Sequence, residues 1–302
     1  MFGYKLWLLC TPTGYMVHAE PCCGSSINLP NTGLGKSADV ILGLVQKGRL
    51  RKGHSVFFDN YFTTSGLMNE FSFMGIAGTG TMREGRLGKG VPLPNSRLIE
   101  KKGRGHVDYT YRNDLVVMKW KDNKVVCLVS NKYGINPQRD VSRWSKEQKK
   151  KVSVPMPNAI AEYNKNMGGV DLSDQFVSNY QIRIRSRKWW WPLFAWSINC
   201  SAVNAWILYK TLGHEISLLE FIRCIVQQAL LQHGTSKARP GPSGYKFGAS
   251  AFDAIRQDGK DHWPEPIAAI YSCCRHCGGR ASYKCSKCDL PLHPKCIREF
   301  HK

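Results

Sequence analysis

Near its C-terminal end the chain reads Cys274-x2-Cys277, Cys285-x2-Cys288, His293-x2-Cys296 and then His301. Tetrahedral zinc takes thiolate and imidazole ligands from tight turns, and closely spaced cysteine pairs followed by His and Cys supply them. Seven ligands are one short of two four-ligand sites. Either Cys273 or His276 completes the second site, or one site is complete and the remaining residues are spare. The competing reading, a disulfide knot, needs an oxidising compartment, and histidines among the cysteines favour metal in a reducing one. So short a segment cannot build a stable core alone, so bound Zn2+ would supply its folding free energy.

A second constellation is acidic. Asp171 and Asp174 follow Gly168-Gly169. In a helix starting near Val170 they would share one face, with Cβ atoms roughly 5–6 Å apart, which suits a hard cation. Carboxylates in a first helical turn also cap free N–H groups and complement the macrodipole, so the spacing alone leaves both readings open. Asp59 directly follows the apolar run Ser55-Val56-Phe57-Phe58. It therefore projects from the carboxyl end of a core strand, where α/β proteins build their sites. Asp59, Asp171 and Asp174 together would hold one or two Mg2+ ions with positions open to water and phosphate, as phosphodiester chemistry requires.

The elements that position these groups follow from pattern and punctuation. Lys5–Cys10 and Tyr15–Ala19 flank Pro12-Thr13-Gly14 and predict a β-hairpin. Val40, Ile41, Leu44 and Val45 form a helical stripe that Gly48 ends. A strand at 55–58, a helix at 63–74 and a strand at 76–81 come next. From about 83 to 151 the chain turns basic and glycine-rich, with strands at 115–120 and 125–130 meeting at Asp122-Asn123. This is read as a β-rich insertion whose Arg83, Arg86, Lys89, Lys101, Lys102 and Arg104 could contact phosphates. A helix through Ala159, Ile160 and Tyr163 leads to the glycine pair. Trp189 to Tyr209 carries no charge, but Ser197, Ser201 and Asn204 mark one face and Trp196, Cys200, Val203 and Ile207 another, so a core helix is expected and no membrane span. A helix at 216–232 closes the main domain, and 234–250 reads as a linker.

Lys+Arg total 43 against 22 Asp+Glu in 302 residues, a formal charge of +21, which points to a polyanionic partner, nucleic acid or an anionic membrane surface. The run Arg183-Ile184-Arg185-Ser186-Arg187-Lys188, followed by three tryptophans, has the composition of a surface that grips a backbone and stacks on bases. Arg183, Arg185, Arg187 and Lys188 are the nucleic-acid-binding candidates. Tryptophans beside Pro192 are equally suited to anchoring a helix start.

Three motifs in order, Val56-Phe57-Phe58-Asp59-Asn60-Tyr61-Phe62-Thr63, Tyr163-Asn164 through Met167-Gly168-Gly169-Val170-Asp171 to Asp174-Gln175, and Lys188-Trp189-Trp190, together with the cysteine-rich tail, resemble the piggyBac transposases and the host proteins derived from them. The resemblance implies an α/β, RNase H-like (DDE-type) core interrupted by the β-rich insertion, with a small zinc-binding domain that contacts DNA. The expected division is 1–233 for the core, 234–270 for the linker and 271–302 for the zinc domain. By resemblance Asp59 and Asp171 match the family's second and third catalytic aspartates, and Asp174 an assisting carboxylate. Where the first aspartate would follow the first strand, this chain has Thr11, and the nearest acid, Glu20, lies beyond the turn. The expectation is a nuclear, transposase-derived DNA-binding protein, possible as a homodimer, with residual Mg2+ affinity and impaired catalysis. Two other readings stay open: an active Mg2+-dependent transposase or nuclease, and a zinc module for protein interaction. Met1 falls almost on the first strand, where the family carries a long preceding segment, which implies a decayed gene or a truncated product.

Overall fold

The computed structural model describes residues 3–22, 29–88, 90–233, 256–267 and 273–302. Lys89 and most of the expected linker lie outside the described residues. Two compact units divide the chain, Met1–Leu212 and Gly213–Lys302. The helix Leu218–His233 therefore groups with the C-terminal unit, whereas the sequence reading placed it at the end of the core.

The first unit is mixed α/β. Strands β1 (Leu6–Cys10) and β2 (Met16–Pro21) form the expected antiparallel hairpin, closed by Gly14 at φ 86°. Helix α1 (Lys36–Lys47) buries Ala38, Val40, Ile41, Leu42, Leu44 and Val45. Full burial of each large aliphatic contributes about 1.5–3 kcal/mol, so this stripe fixes the helix's orientation. Strand β3 (Ser55–Phe58) pairs in parallel with β4 (Ala77–Thr81) through α2 (Ser65–Met74), whose first turn is capped by the Thr64 hydroxyl accepting from the Leu67 N–H at 3.2 Å.

Beyond β4 the chain adds a short helix α3 (Ser96–Glu100) and strands β5 (Val107–Arg112), β6 (Leu115–Lys121) and β7 (Val125–Ser130). The strand order is β3-β4-β7-β6-β5, with β7 antiparallel to β4. The segment read as an insertion thus extends the main sheet, because β4 has a second edge whose backbone groups need partners. Along β6 alternate residues serve two cores. Leu115 and Val117 face the layer of α1 and α2, while Val116, Met118 and Trp120 face α4 (Asn158–Asn166) and the separate hairpin of β8 (Arg139–Ser145) and β9 (Lys150–Met156). A strand covered on both faces reads as an unbroken apolar run. Of its two lysines, Lys119 is buried and held by Glu84 Oε1 at 2.5 Å and the Pro94 carbonyl at 2.8 Å.

Helix α5 (Gly169–Asn179) follows α4, and α6 (Trp191–Thr211) buries Ala195, Cys200, Val203, Trp206 and Ile207 on one side. Among the described residues no helix is long and apolar enough to cross a membrane.

Candidate functional site

Asp59 sits one residue past β3, half-buried, with Oδ1 accepting the Tyr61 N–H at 2.9 Å and its carbonyl accepting the Thr63 hydroxyl at 2.9 Å. Arg86 closes this loop, its Nη1 donating to the carbonyls of Asn60 at 2.8 Å and Tyr61 at 2.9 Å, and Arg83 donates to the Asn60 side chain at 3.2 Å. Arg86 is thereby committed to the protein's own backbone. Lys102 pairs with Asp108 at 3.1 Å and Arg104 with Asp122 at 2.5 Å, so these members of the basic footprint are largely neutralised within the chain.

Asp171 and Asp174 lie exposed on the first turns of α5, on the shared face expected from their spacing. Although Asp174 is exposed as a residue, its carboxyl is partly desolvated against the protein, and this, then the neighbouring Asp171 charge, holds it above its ordinary value. The Asp174 charge also reaches Cys10. Burial pushes that thiol up to about 11, a hydrogen bond to Ser173 opposes the rise, and Asp174 adds to it. Helix α5 therefore stands against the end of β1. A Cβ on Gly169 would lie 2.3 Å from the Thr11 carbonyl oxygen, and one on Gly14 would lie 3.2 Å from the Ser173 nitrogen. Glycine at 169 is what permits this approach.

Thr11, Asp59 and Gly169 border one cleft of about 620 Å³. The Thr11 hydroxyl bonds to that of Thr13 at 2.8 Å and accepts the Tyr15 N–H at 3.1 Å, so it is used inside the hairpin turn. Glu20 stands opposite Trp7 in the hairpin, buried, and binds Lys47 at 2.6 Å and His18 at 3.4 Å. It makes no approach to the Thr11 end. Among the described residues, Asp59, Asp171 and Asp174 do not form a convergent set of three ligand atoms, and the sets that do converge are both made of Cys and His. The carboxylates as placed do not fit a closed Mg2+ site.

The four basic candidates Arg183, Arg185, Arg187 and Lys188 are exposed on the extended stretch between α5 and α6. Trp191 anchors this stretch by donating from Nε1 to the Ile184 carbonyl at 2.7 Å, and Trp190 packs edge-on against Phe194 at 5.9 Å. Trp189 stays largely exposed. The anchoring and surface readings of the tryptophans are thus divided among different residues of the run.

In the second unit, Cys274, Cys277, His293 and Cys296 bring one ligand atom each to within 4.8 Å of one another, as do His262, Cys285, Cys288 and His301. Along the chain the sets interleave. The eighth member is His262, and neither Cys273 nor His276 belongs to a set: Cys273 pairs in an isolated bridge with Arg280, and His276 faces Glu299 at 3.2 Å. His262 lay in the stretch read as linker, too far from the cysteine pairs for spacing to point to it.

The donor chemistry fits a metal at both positions. Each histidine has one ring nitrogen engaged by an oxygen: His262 Nε2 by Asp258 at 3.0 Å, His293 Nε2 by the Arg280 carbonyl at 2.7 Å, and His301 Nδ1 by the Arg256 carbonyl at 2.8 Å. The other nitrogen faces the thiols. His262 Nδ1 lies 3.2 Å from Cys285 Sγ, and His293 Nδ1 lies 3.2 Å from Cys277 Sγ. His301 Nε2 is buried with no hydrogen-bond partner. Orienting a metal-binding imidazole through its distal nitrogen is how such centres fix the tautomer. Burial opposes ionisation of Cys274, but the N–H groups of Cys277, His293 and His276 bring its thiol down to about 6, whereas burial and the adjacent Cys285 push Cys288 up to about 12.

A family profile described as Transposase IS4 matches residues 1–206. The chain is 34% identical over 306 residues to human PiggyBac transposable element-derived protein 3, covering 99% of this chain and 50% of that protein. It is 30% identical over 311 residues to human PiggyBac transposable element-derived protein 2, again covering 99% and 50%. The chain thus spans about half the length of these curated relatives. A cryo-EM structure of a piggyBac transposase synaptic complex with hairpin DNA shares the fold, with a TM-score of 0.56 at 18% identity over 97% of this chain and 63% of that one. By a profile match over most of its length and by these relatives, the chain belongs to the transposase IS4 family and is of the piggyBac type.

Proposed function

We propose that this chain is a transposase-derived, nuclear DNA-binding protein that does not complete strand cleavage or transfer. The core is read as RNase H-like. The observation that carries the reading is Thr11: where the family resemblance calls for an acid after β1, the chain has a hydroxyl already used by Thr13 and Tyr15. Asp59, Asp171 and Asp174 are then the remaining carboxylates of a cation site lacking one of its main charges. A hard cation needs charged oxygens to offset its dehydration, so the loss weakens Mg2+ binding.

Binding is assigned to Arg183, Arg185, Arg187 and Lys188, which are exposed, with Trp189 beside them for stacking. The two Cys/His sets are read as structural Zn2+ sites. Zinc would supply fixed tetrahedral cross-links, and Cys274, Cys277, His293 and Cys296 would hold one ion while His262, Cys285, Cys288 and His301 hold the other. Gel shifts of the full chain with labelled duplex and hairpin DNA test the binding claim. The reading expects affinity that falls steeply with salt. Affinity independent of salt, or none, would instead favour a zinc module for protein contacts.

A further inference from the structure

The basic run between α5 and α6 contains a serine that the DNA reading does not use. Ser186 stands among Arg183, Arg185, Arg187 and Lys188, with an arginine three residues before it and another one residue before it. Arginine-directed protein kinases take their substrate as an extended segment, with acidic pockets for cations on the N-terminal side of the hydroxyl, and such charge patterns set their selectivity. The spacing Arg-x-x-Ser occurs twice in the chain, at Arg139–Ser142 and at Arg183–Ser186.

The fold separates the two. Ser142 lies inside β8, opposite Ser153 of β9 in an antiparallel ladder, so its backbone cannot enter a second protein's cleft without breaking the hairpin. Residues 181–188 belong to no helix or strand, and 183–188 are all exposed. Three bonds hold this stretch at its margins. The Asn199 side chain accepts the Ile182 N–H at 3.4 Å, Trp191 donates to the Ile184 carbonyl at 2.7 Å, and the Tyr4 hydroxyl donates to the Trp189 carbonyl at 2.8 Å. Ser186 falls between these anchors. Its oxygen accepts the Lys188 N–H at 3.2 Å, a local bond of the kind serines make in turns. The hydroxyls of Ser197 and Ser201 are instead turned back onto α6 carbonyls at 2.9 Å.

We propose, on the reading that this run grips DNA, that Ser186 is a phosphorylation site for an arginine-directed protein kinase and that its modification releases the chain from DNA. In the transfer, Ser186 Oγ bonds to the γ-phosphorus of ATP as the bond from that phosphorus to the β,γ-bridging oxygen breaks. ADP departs, and the hydroxyl proton passes to the kinase's base. The run carries four cations, Arg183, Arg185, Arg187 and Lys188, and the phosphate brings a charge of about −1.5 to −2. Every one of them lies within three residues of Ser186, roughly 10 Å along an extended chain and so no further than about one Debye length. The new anion takes up guanidinium groups that DNA phosphates would use and repels the DNA backbone itself. At a slope of about 0.9 log units per phosphate contact, losing one or two contacts weakens binding roughly 8- to 60-fold at about 0.1 M salt.

The full chain is treated with ATP and the catalytic subunit of cyclic-AMP-dependent protein kinase, and the phosphate is placed by peptide mass spectrometry. Modified and unmodified chains are then compared in gel shifts with labelled duplex DNA from about 50 to 200 mM salt, the range over which phosphate contacts are read. Urea midpoints of both are taken in parallel. The expected result is phosphate on Ser186, strongly reduced in Arg183→Ala, and DNA binding by the modified chain at least about eightfold weaker and less salt-dependent. Ser186→Ala should bind DNA like the parent, before and after kinase treatment. No phosphate on Ser186, equal affinity of the modified and unmodified chains, or a loss of affinity that tracks a lowered urea midpoint would each overturn the proposal and leave the DNA reading in place. No DNA binding by the unmodified chain would overturn both.

Discussion

The Thr11 carbonyl oxygen and Gly169 are in contact across the start of α5, so closely that a Cβ at 169 would lie 2.3 Å from that oxygen. The hairpin turn and the helix carrying Asp171 and Asp174 are therefore fitted backbone to backbone, and the position of the acids depends on a missing side chain. Gly169→Ala must push the turn away. The expected cost is about 1–3 kcal/mol, the usual penalty for overpacking, seen as a lower urea midpoint with an unchanged slope. An unchanged midpoint would show that the contact yields freely.

The C-terminal unit should depend on metal. Among the described residues its apolar cluster consists of Cys274, Cys285, Cys288 and Cys296 with Ala281, Leu292 and Ile297, and Leu290 and Phe300 packed against them, too little to hold a fold. Metal analysis should give two zinc ions per chain, and His262→Ala should give one. Chelation should expose the amides of 273–302 to exchange while those of β6 and β7 stay protected. Retention of two ions in His262→Ala would remove this histidine from the ligand set.

Asp258 holds His262 and also accepts from Lys287 and the Lys260 N–H. These contacts bring its carboxyl down to about 2 against the penalty of burial. Asp258→Asn keeps the shape but loses the charge that raises imidazole basicity. A 10- to 100-fold weaker second zinc site is expected, with the first unaffected. Competition with a chromophoric chelator measures both.

The acids of α5 predict a pH dependence of defined sign. Asp174 has a raised folded value, from burial and then from Asp171. The folded chain thus binds that proton more tightly than the unfolded chain, so this group's contribution favours folding as pH falls through the raised value and is lost as pH rises above it. Asp174→Asn should remove that component, so the variant's stability relative to the parent falls as pH drops from 7 to 4. Denaturant midpoints measured from pH 4 to 7 check this, and a parent and variant that run parallel would contradict it.

Local pattern made much of the first unit legible. Ser55–Phe58, the α1 stripe and the break at Gly48 are each specified by residues close in sequence, and the structure places elements there. Pairings between distant segments were not readable. The union of β4 with β7 is set by an edge that needs a partner, and β8 and β9 are hidden by their cations and by Pro155. At the Cys/His sets the close pairs announced themselves, whereas His262 is joined to Cys285 and Cys288 only by folding. At Thr11 the sequence shows only that no acid follows β1, and the bonds of its hydroxyl to Thr13 and Tyr15 appear only in three dimensions.

Loss of cleavage with retention of binding is the centre of the account, and one assay measures both. The full chain is incubated with an end-labelled hairpin DNA and Mg2+ or Mn2+, with bound and cut fractions read from the same samples, alongside Asp171→Ala and a variant with Arg183, Arg185, Arg187 and Lys188 all changed to Ala. The account predicts salt-sensitive binding by the parent and by Asp171→Ala, weaker binding and a salt slope reduced by about one unit per lost phosphate contact in the quadruple variant, and no cut product in any lane. Cleavage by the parent that disappears in Asp171→Ala would contradict it and establish a working metal-dependent nuclease.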